Sequence, residues 1–280
     1  MSRRHLIDHQ LALLNDIRSI MDSIKTLAHM EAQRLTPTLP VQQQSLQKVQ
    51  NMASDFAVEY GLPSLQNDAN MPLLVVIGSE RGLCGDFNKR LMQALDELPQ
   101  TDPPRPFITL GSRLGSKLED RPGLLGQLPG ASIAEDVPGV IQALLDYCAT
   151  LQSQHQDLSL ALLYHDSQHA DIRLDPLLSP FQVDNHQAPG APILLNLQPD
   201  AFLGNLLRHY LYRVLMHACY SSLLAENRKR VAHLDNAVSH LDEQHERLLH
   251  RRNRLYQEDI TAELAIIMLA DQPADASGLG

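Results

Sequence analysis

From Asp200 to Ala270 the sequence has no proline and a single glycine, Gly204. Pro199 stands just ahead, a favoured place for proline because the first N–H of a helix has no intrahelical partner anyway. This stretch predicts one unbroken helix of about 70 residues, roughly 105 Å long at 1.5 Å per residue. A globular helix rarely exceeds about 25 residues, so such a segment calls for a shaft or a coiled coil. Within it Leu234, Val238, Leu241, His245, Leu248, Arg252 and Leu255 step alternately by four and three. That is the period of a coiled-coil seam, interrupted by His245 and Arg252.

A similar seam opens the chain. Leu13, Ile17, Ile20, Ile24 and Leu27 show the same alternation, and the first proline is Pro37. A second helical stretch is expected from Gln42 to Tyr60, stopped by Gly61 and Pro63. Pairing the two terminal seams, antiparallel, buries both at once.

The middle of the chain has a different texture. "PLLVVIG" (Pro72 to Gly78) is a short apolar run between turn residues, as in a strand buried on both faces. "PFITLG" (Pro106 to Gly111) and "LSLALLY" (Leu158 to Tyr164) read the same way, with "ADIRLDPLLSPFQV" as a fourth candidate. "FNKRLMQALDEL" and "GVIQALLDYCATL" are helical between them. Alternating strands and helices predict an α/β layer with parallel strands, Rossmann-like in class. Pro99–Pro106 and Arg121–Gly130 read as loops. The expected organisation is a helix and connection over 1–68, an inserted α/β domain over 69–195, and a long helix with a short, disordered tail over 196–280.

Composition narrows the function. The net charge is −10, aromatic residues make up 4 %, and tryptophan is absent. Non-specific nucleic-acid binding needs a basic footprint, and base or sugar stacking needs aromatic faces. The cysteines, Cys84, Cys148 and Cys219, are too widely spaced for a zinc pair or a disulfide framework, which suits a reducing compartment. The basic N-terminus lacks the apolar core of a signal peptide. No apolar run approaches the roughly 18 residues of a membrane helix. His240, His245 and His250 lack a metal-binding pair with a carboxylate, and no cofactor is implied. "ENRKRVAHLDN" and "HERLLHRRNRLYQED" read as solvated charged faces.

One motif stands apart: "GSERGLCGDFN", Gly78 to Asn88, directly after the first strand. It has no lysine and hydroxyl at the spacing of a Walker loop, and it is not Gly-x-Gly-x-x-Gly. Cys84 as a nucleophile would need a histidine and an orienting group. A tight strand-to-helix turn explains the glycines but not the particular string.

That string resembles the "DRGLCGGLN" signature of the gamma subunit of F-type ATP synthases. "FITLGSRLGSKL", "LNLQPDAFLGNLLRHYLYRVLMHACYSSLLAEN" and "YQEDITAELAIIMLA" are similar to further stretches of that family, in the family's order. "DIRSIMDSIKTLAHMEAQRL" stands where its first helix would. The resemblance implies an antiparallel coiled coil of the terminal helices and an α/β module at its base. It implies a non-catalytic rotor shaft that turns inside a ring of alpha and beta subunits. The foot would meet the epsilon subunit and the membrane-embedded c-ring, on the cytoplasmic face of the membrane. Membrane contact would run only through the membrane sector.

By that resemblance Arg81, Gly82, Leu83, Cys84, Gly85 and Asn88 form the rotor-foot motif, with Asp86 and Phe87 in place of Gly-Leu. Gln257, Thr261 and Glu263 fall where the family contacts the catch loop of the ring, flanked by Ile260 and Leu264. Tyr256 stands in place of an arginine, and Arg252 or Arg254 is a substitute from another turn. Ile17, Ile20, Ile24, Leu27, Leu241, Leu248 and Leu255 would pack the coiled coil. His29 and Glu31 replace small residues of the family's first helix. These departures suggest a divergent branch, with an alternative or sodium-coupled F-type complex as one reading. Two other readings stay open: a coiled-coil scaffold with an α/β ligand-sensing module, and an enzyme using Cys84 or the strand ends.

Overall fold

A computed structural model of the chain describes residues 3–60, 73–99, 101–152, 159–169, 171–177 and 195–270. The helix stop at Gly61 and Pro63, the continuation of the fourth strand candidate past Leu177, and the tail from Asp271 lie outside those residues. The chain divides into two compact units, Met1–Thr26 with Leu234–Gly280, and Leu27–His233. The longest helices, α1 (Arg3–Tyr60) and α5 (Pro199–Ala270), contribute to both.

The larger unit is built on a five-stranded sheet in the order β3-β2-β1-β4-β5. Its strands are β1 (Leu73–Ile77), β2 (Phe107–Leu110), β3 (Leu124–Leu128), β4 (Leu160–Asp166) and β5 (Asp171–Pro176). The first four are parallel, and β5 returns antiparallel along β4. Parallel strands need crossovers, which α2 (Phe87–Glu97), α3 (Ser112–Leu118) and α4 (Val137–Gln152) supply. β3 lies in the segment expected to be loop.

Alternation along the strands assigns each face. Leu73, Val75 and Ile77, with Ile108, Leu110, Leu162 and Tyr164, join Val137, Ile141 and Leu144 of α4 in one core. Leu35 and Leu39 of α1 and Leu215, Cys219 and Leu223 of α5 complete it. Leu74 and Val76, with Phe107, Ala161 and Leu163, face Phe87, Leu91 and Leu95 of α2 and Leu114 and Leu118 of α3. The sheet is thus buried on both sides, which explains why its central strands read as continuous apolar runs rather than alternating ones. A satellite cluster joins Ala53 and Phe56 of α1 to Leu206 of α5, with Phe56 and Phe202 rings 5.2 Å apart.

The expected break between two N-terminal helices does not occur: α1 runs through Pro37 and Pro40. Each proline removes one helical hydrogen bond and crowds the preceding turn, at a cost of about 3 kcal/mol. Both rings lie on the exposed side, while Leu35 and Leu39 are 0 % and 3 % exposed in the core. Thr36 and Thr38 donate their hydroxyls to the carbonyls of Ala32 (2.7 Å) and Arg34 (3.1 Å). Tertiary packing holds the helix where local preference would end it.

In the smaller unit the first part of α1 lies beside the last part of α5. Arg18 meets Asp242 at 2.6 Å, Lys25 meets Asp235 at 3.3 Å, and Arg252 meets Asp8 at 3.8 Å. Residue numbers rise along one helix as they fall along the other, so the two run antiparallel. Leu234 and Val238 of α5 are buried, and Leu241, His245, Leu248, Arg252 and Leu255 are half-buried. On α1 the inward file is displaced by one residue from the expected seam. Ile7 and Leu11 are buried and Leu14 and Met21 half-buried, whereas Leu13 and Ile20 are 52 % and 60 % exposed. Ile17 and Ile24 are half-buried on the flank. Leu27, in the other unit, is 58 % exposed beside the buried Ala28.

Leu35→Ala is therefore expected to destabilise the chain by about 2–5 kcal/mol, because a fully buried leucine leaves a cavity. Ile20→Ala is expected to stay within about 0.5 kcal/mol of the parent. Denaturant midpoints of the two variants check this; equal shifts would place Ile20 in the core.

Candidate functional site

In an open sheet of this kind the strand order reverses between β1 and β4, and ligands of such folds settle in the crevice beyond the strand ends there. In this chain that crevice holds protein. β1 ends at Ile77, the chain turns through Gly78–Asp86, and α2 begins at Phe87. α5 lies against the same strand ends: Ser222 donates its hydroxyl to the Ile77 carbonyl at 3.2 Å.

The turn is held from within by Asn88, whose side chain is buried. Its Oδ1 accepts the Ser79 N–H at 3.0 Å and its Nδ2 donates to Ser79 Oγ at 2.8 Å. Leu83 (φ 63°) and Gly85 (φ 60°) take left-handed backbone conformations. Glycine adopts that region without strain, whereas Leu83 does so at a cost and exposes its side chain. Glu80 ties the turn to its neighbours, accepting from Ser112 N–H (2.9 Å), Ser112 hydroxyl (2.8 Å) and Gly130 N–H (2.7 Å). Partial burial pushes its carboxyl up, but these donors outweigh it and hold the pKa below the ordinary value.

α5 clamps the other side. Arg230 is buried and donates from Nε to the Gly82 carbonyl (3.1 Å) and from Nη2 to the Arg81 carbonyl (3.3 Å). It also bonds Asn227 Oδ1 (2.9 Å) and pairs with Glu226 one turn earlier. Glu226 is 3 % exposed; burial pushes its carboxyl up to about 7 against the pull of Arg230. Lys229 reaches Asp86 at 2.9 Å, and that hydrogen bond lowers the Asp86 pKa. The "ENRKR" segment is therefore not a solvated face: Glu226, Asn227 and Arg230 form a buried polar hub. Its sequence signal was an acid and an arginine four apart on one helix, a spacing equally common on surfaces.

Cys84 is 5 % exposed, and its Sγ lies 3.5 Å from Ser79 Oγ and 3.9 Å from the Arg81 carbonyl. Burial raises its pKa, which disfavours the thiolate a nucleophile requires. Neither bonding partner is a base. His165, at the end of β4, stacks on the Phe87 ring with centroids 4.0 Å apart and donates from Nε2 to the Phe87 carbonyl at 2.9 Å. Burial lowers its pKa to about 4, so it is neutral at pH 7 and pins the start of α2. Among the described residues no group of histidine, cysteine, aspartate and glutamate could hold a metal ion.

The residues near the end of α5 form a separate surface. Gln257, Thr261 and Glu263 are all exposed, and Thr261 donates only to the Gln257 carbonyl one turn back (2.7 Å). Arg254 pairs with Glu258 at 3.1 Å. Leu264, Ile266, Ile267 and Met268 are 56–74 % exposed, an apolar surface that the described residues leave open.

Arg230→Ala leaves Glu226 without its counter-ion, so that it must protonate, and takes the donor from the Arg81 and Gly82 carbonyls; it should cost about 3–5 kcal/mol, read from denaturant unfolding. For His165 the folded pKa lies below the unfolded value of 6.5, so its contribution is complete above pH 6.5 and is lost as pH falls toward 4. The shift corresponds to roughly 3 kcal/mol. Stability measured from pH 7 to pH 4 should fall more steeply in the parent than in His165→Asn; identical slopes would mean that the ring charges freely in place.

A family model described as ATP synthase matches residues 4–270 of the chain. The ATP synthase gamma chain of Syntrophus aciditrophicus is 25 % identical over 207 residues, covering 70 % of each chain. That of Clostridium novyi is 21 % identical over 277 residues, covering 94 % of this chain and 95 % of its own. In the Euglena gracilis mitochondrial ATP synthase, solved as OSCP/F1/c-ring in rotational state 3, one chain superposes with a TM-score of 0.67 at 17 % identity. That match covers 99 % of this chain and 97 % of the other. The rotor of the same enzyme in rotational state 1 gives a TM-score of 0.62 at 14 % identity, over 92 % and 98 %. The structural matches speak for the fold, and the family match runs nearly end to end: the chain belongs to the ATP synthase gamma-chain family.

Proposed function

We infer that the chain is the gamma-like central shaft of an F-type ATP synthase, coupling ion translocation through the membrane sector to ATP synthesis or hydrolysis on an alpha–beta ring. The observation that carries this is the family match over residues 4–270, which takes in both long helices and the sheet between them. As a gamma chain it is a non-catalytic subunit of the complex. No described helix is long and apolar enough to cross a membrane, consistent with a peripheral position. We place it on the cytoplasmic face.

A shaft works by presenting different surfaces to identical neighbours. Each orientation favours a different conformation of a neighbouring subunit, by no more than the difference in contact free energy. Two surfaces suit that task. Gln257, Thr261 and Glu263, with the exposed Leu264, Ile266, Ile267 and Met268, would meet the ring; exposed apolar clusters of this kind mark association surfaces. The Arg81–Asn88 turn would be the foot, against the epsilon subunit and the c-ring. The antiparallel pairing of α1 with α5 is read as a two-helix coiled coil, with Leu241, Leu248 and Leu255 toward α1 and Ile17 and Ile24 flanking the opposing seam. Arg230 and Lys229 link the foot turn directly to α5, which gives twist a short polar route from one to the other.

Co-expression with the alpha and beta subunits of its own operon tests the reading. A three-alpha, three-beta, one-gamma particle is expected, with ATP hydrolysis that depends on this chain and survives Cys84→Ala. A chain that stays apart as its own oligomer would support the scaffold reading instead. Loss of turnover on Cys84→Ala with assembly intact would support the enzyme.

A further inference from the structure

Glu226 and Arg230 are both buried, one turn apart on α5, and among the described residues Arg230 is the one cation in ion-pair contact with Glu226. The Glu226 carboxyl borders an internal cavity of about 20 Å3 whose walls include Ile77, Leu110, Val140 and Leu223. Apolar walls solvate a charge poorly, so burial raises the Glu226 pKa, to about 7, while Arg230 pulls it down. Arg230 divides its donors between this carboxylate, Asn227 and the carbonyls of Arg81 and Gly82.

The other charged groups around the pair come from several sides. The turn brings Glu80, Arg81, Asp86 and the Cys84 thiol; α3 brings Arg113, close to Gly82; α5 itself brings Arg228 and Lys229. Glu80 is bonded to Ser112 and Gly130 and Asp86 to Lys229, and both carboxyls stay below their ordinary pKa. Burial holds the Cys84 thiol above its own. Gly130 and Ala131 after β3 and Val140 on α4 face the cavity without charge. On α1, Glu31 and Arg34 are taken up by the Ala134 N–H and Glu135. Glu226 is thus the acid of this cluster that changes charge close to neutrality.

Two consequences of opposite sign follow. Arg230 lowers the Glu226 pKa, so by reciprocity a proton on Glu226 weakens the hold of Arg230. For the fold as a whole the folded pKa lies above the ordinary 4.5, so the residue's contribution to stability is complete below pH 4.5 and is lost as pH rises through 7. Through this one residue, acid steadies the fold while it slackens the arginine.

We propose that Glu226 is a proton-operated latch: ionised, it keeps Arg230 on the Arg81 and Gly82 carbonyls, and on taking up a proton it lets the guanidinium slacken and loosens the Gly78–Asp86 turn on α5. The latch belongs to the chain itself and does not rest on the rotor reading.

The amide 15N signals of Gly82 and Leu83 read it out, because each amide follows one of the carbonyls that Arg230 holds. Titration of the full chain from pH 8.5 to pH 5.5 is expected to move both signals together, with one midpoint within about one pH unit of 7. Glu226→Gln, which cannot ionise, should hold both at the parent's acid limit throughout. His233→Gln should keep the transition, which separates Glu226 from the imidazole beside Gly85. Over the same range the denaturant midpoint of the parent should rise on acidification relative to that of Glu226→Gln. Signals that stay still in the parent, a transition that survives in Glu226→Gln, or one that vanishes in His233→Gln would each overturn the latch. Should Glu226→Gln fail to fold, the parent and His233→Gln decide. A transition kept in His233→Gln, with a glutamate carboxyl 13C signal at the same midpoint, supports the latch, and the lack of either overturns it.

Discussion

Burial of α5 against the carboxyl ends of β1 and β4 is the constraint on which the larger unit depends. Leu215, Cys219 and Leu223 take part in the core that covers one face of the sheet, so the helix cannot leave without exposing that face. The same packing fills the crevice in which a doubly wound sheet would otherwise hold a ligand. Ser221 and Ser222 close it in detail, Ser222 on the Ile77 carbonyl at 3.2 Å and Ser221 on the Ser167 N–H at 2.8 Å. The fold keeps the frame of a nucleotide-binding layer but gives its binding position to a structural helix. That is why the glycines after β1 shape a turn read by α5 rather than a phosphate cradle.

The polar hub beneath that turn follows from the same packing. The carbonyls of Arg81 and Gly82 point toward α5, where solvent is excluded, and each needs a donor. One arginine serves both, and its charge is balanced by Glu226 on its own helix. Apolar replacements of a buried pair are often as stable, so stability alone does not account for it. The hub fixes one position of the turn relative to one position of α5, because the guanidinium's donors are planar and set at fixed angles. A part that must pass on a rotation gains from such a fixed relation more than from a few kcal/mol.

The sequence made the central strands and the long C-terminal helix legible, for physical reasons. β1, β2 and β4 are buried on both faces and so read as uninterrupted apolar runs. The absence of proline across α5 left helix as the only economical reading. β3 was hidden because it is an edge strand whose "LLGQL" is only half-buried. Its Gly126 lies under the Tyr147 ring, whose hydroxyl donates to the Leu125 carbonyl at 2.7 Å, a partnership invisible without the fold. Pro37 and Pro40 suggested a break, yet Leu35 and Leu39 between and beside them are anchored in the core. The α1 seam was displaced because that helix carries two apolar files of the same period. The file containing Leu13, Ile20 and Leu27 is unbroken to the eye. The inward one is interrupted by Arg18 and Lys25, whose stems cover apolar surface while their heads reach Asp242 and Asp235. Periodicity fixes spacing but not phase when both files are apolar.

The ion pairs between α1 and α5 carry a different weight from the buried hub. Arg18, Asp242, Asp235, Asp8 and Arg252 keep more than a third of their side-chain surface in water, and such exposed pairs add little stability. Burial of Ile7, Leu11, Leu234 and Val238 drives the association there. The charges act on alignment instead. A basic residue on one helix faces an acidic residue on the other in all three pairs, so sliding one helix past the other would separate every one of them. Apolar contact alone tolerates such a slip, since leucine meets leucine again after each heptad. Weak but ordered charges thus select one antiparallel register. A shaft requires this, since its surface residues are meaningful to a surrounding ring only if the two helices keep a single alignment.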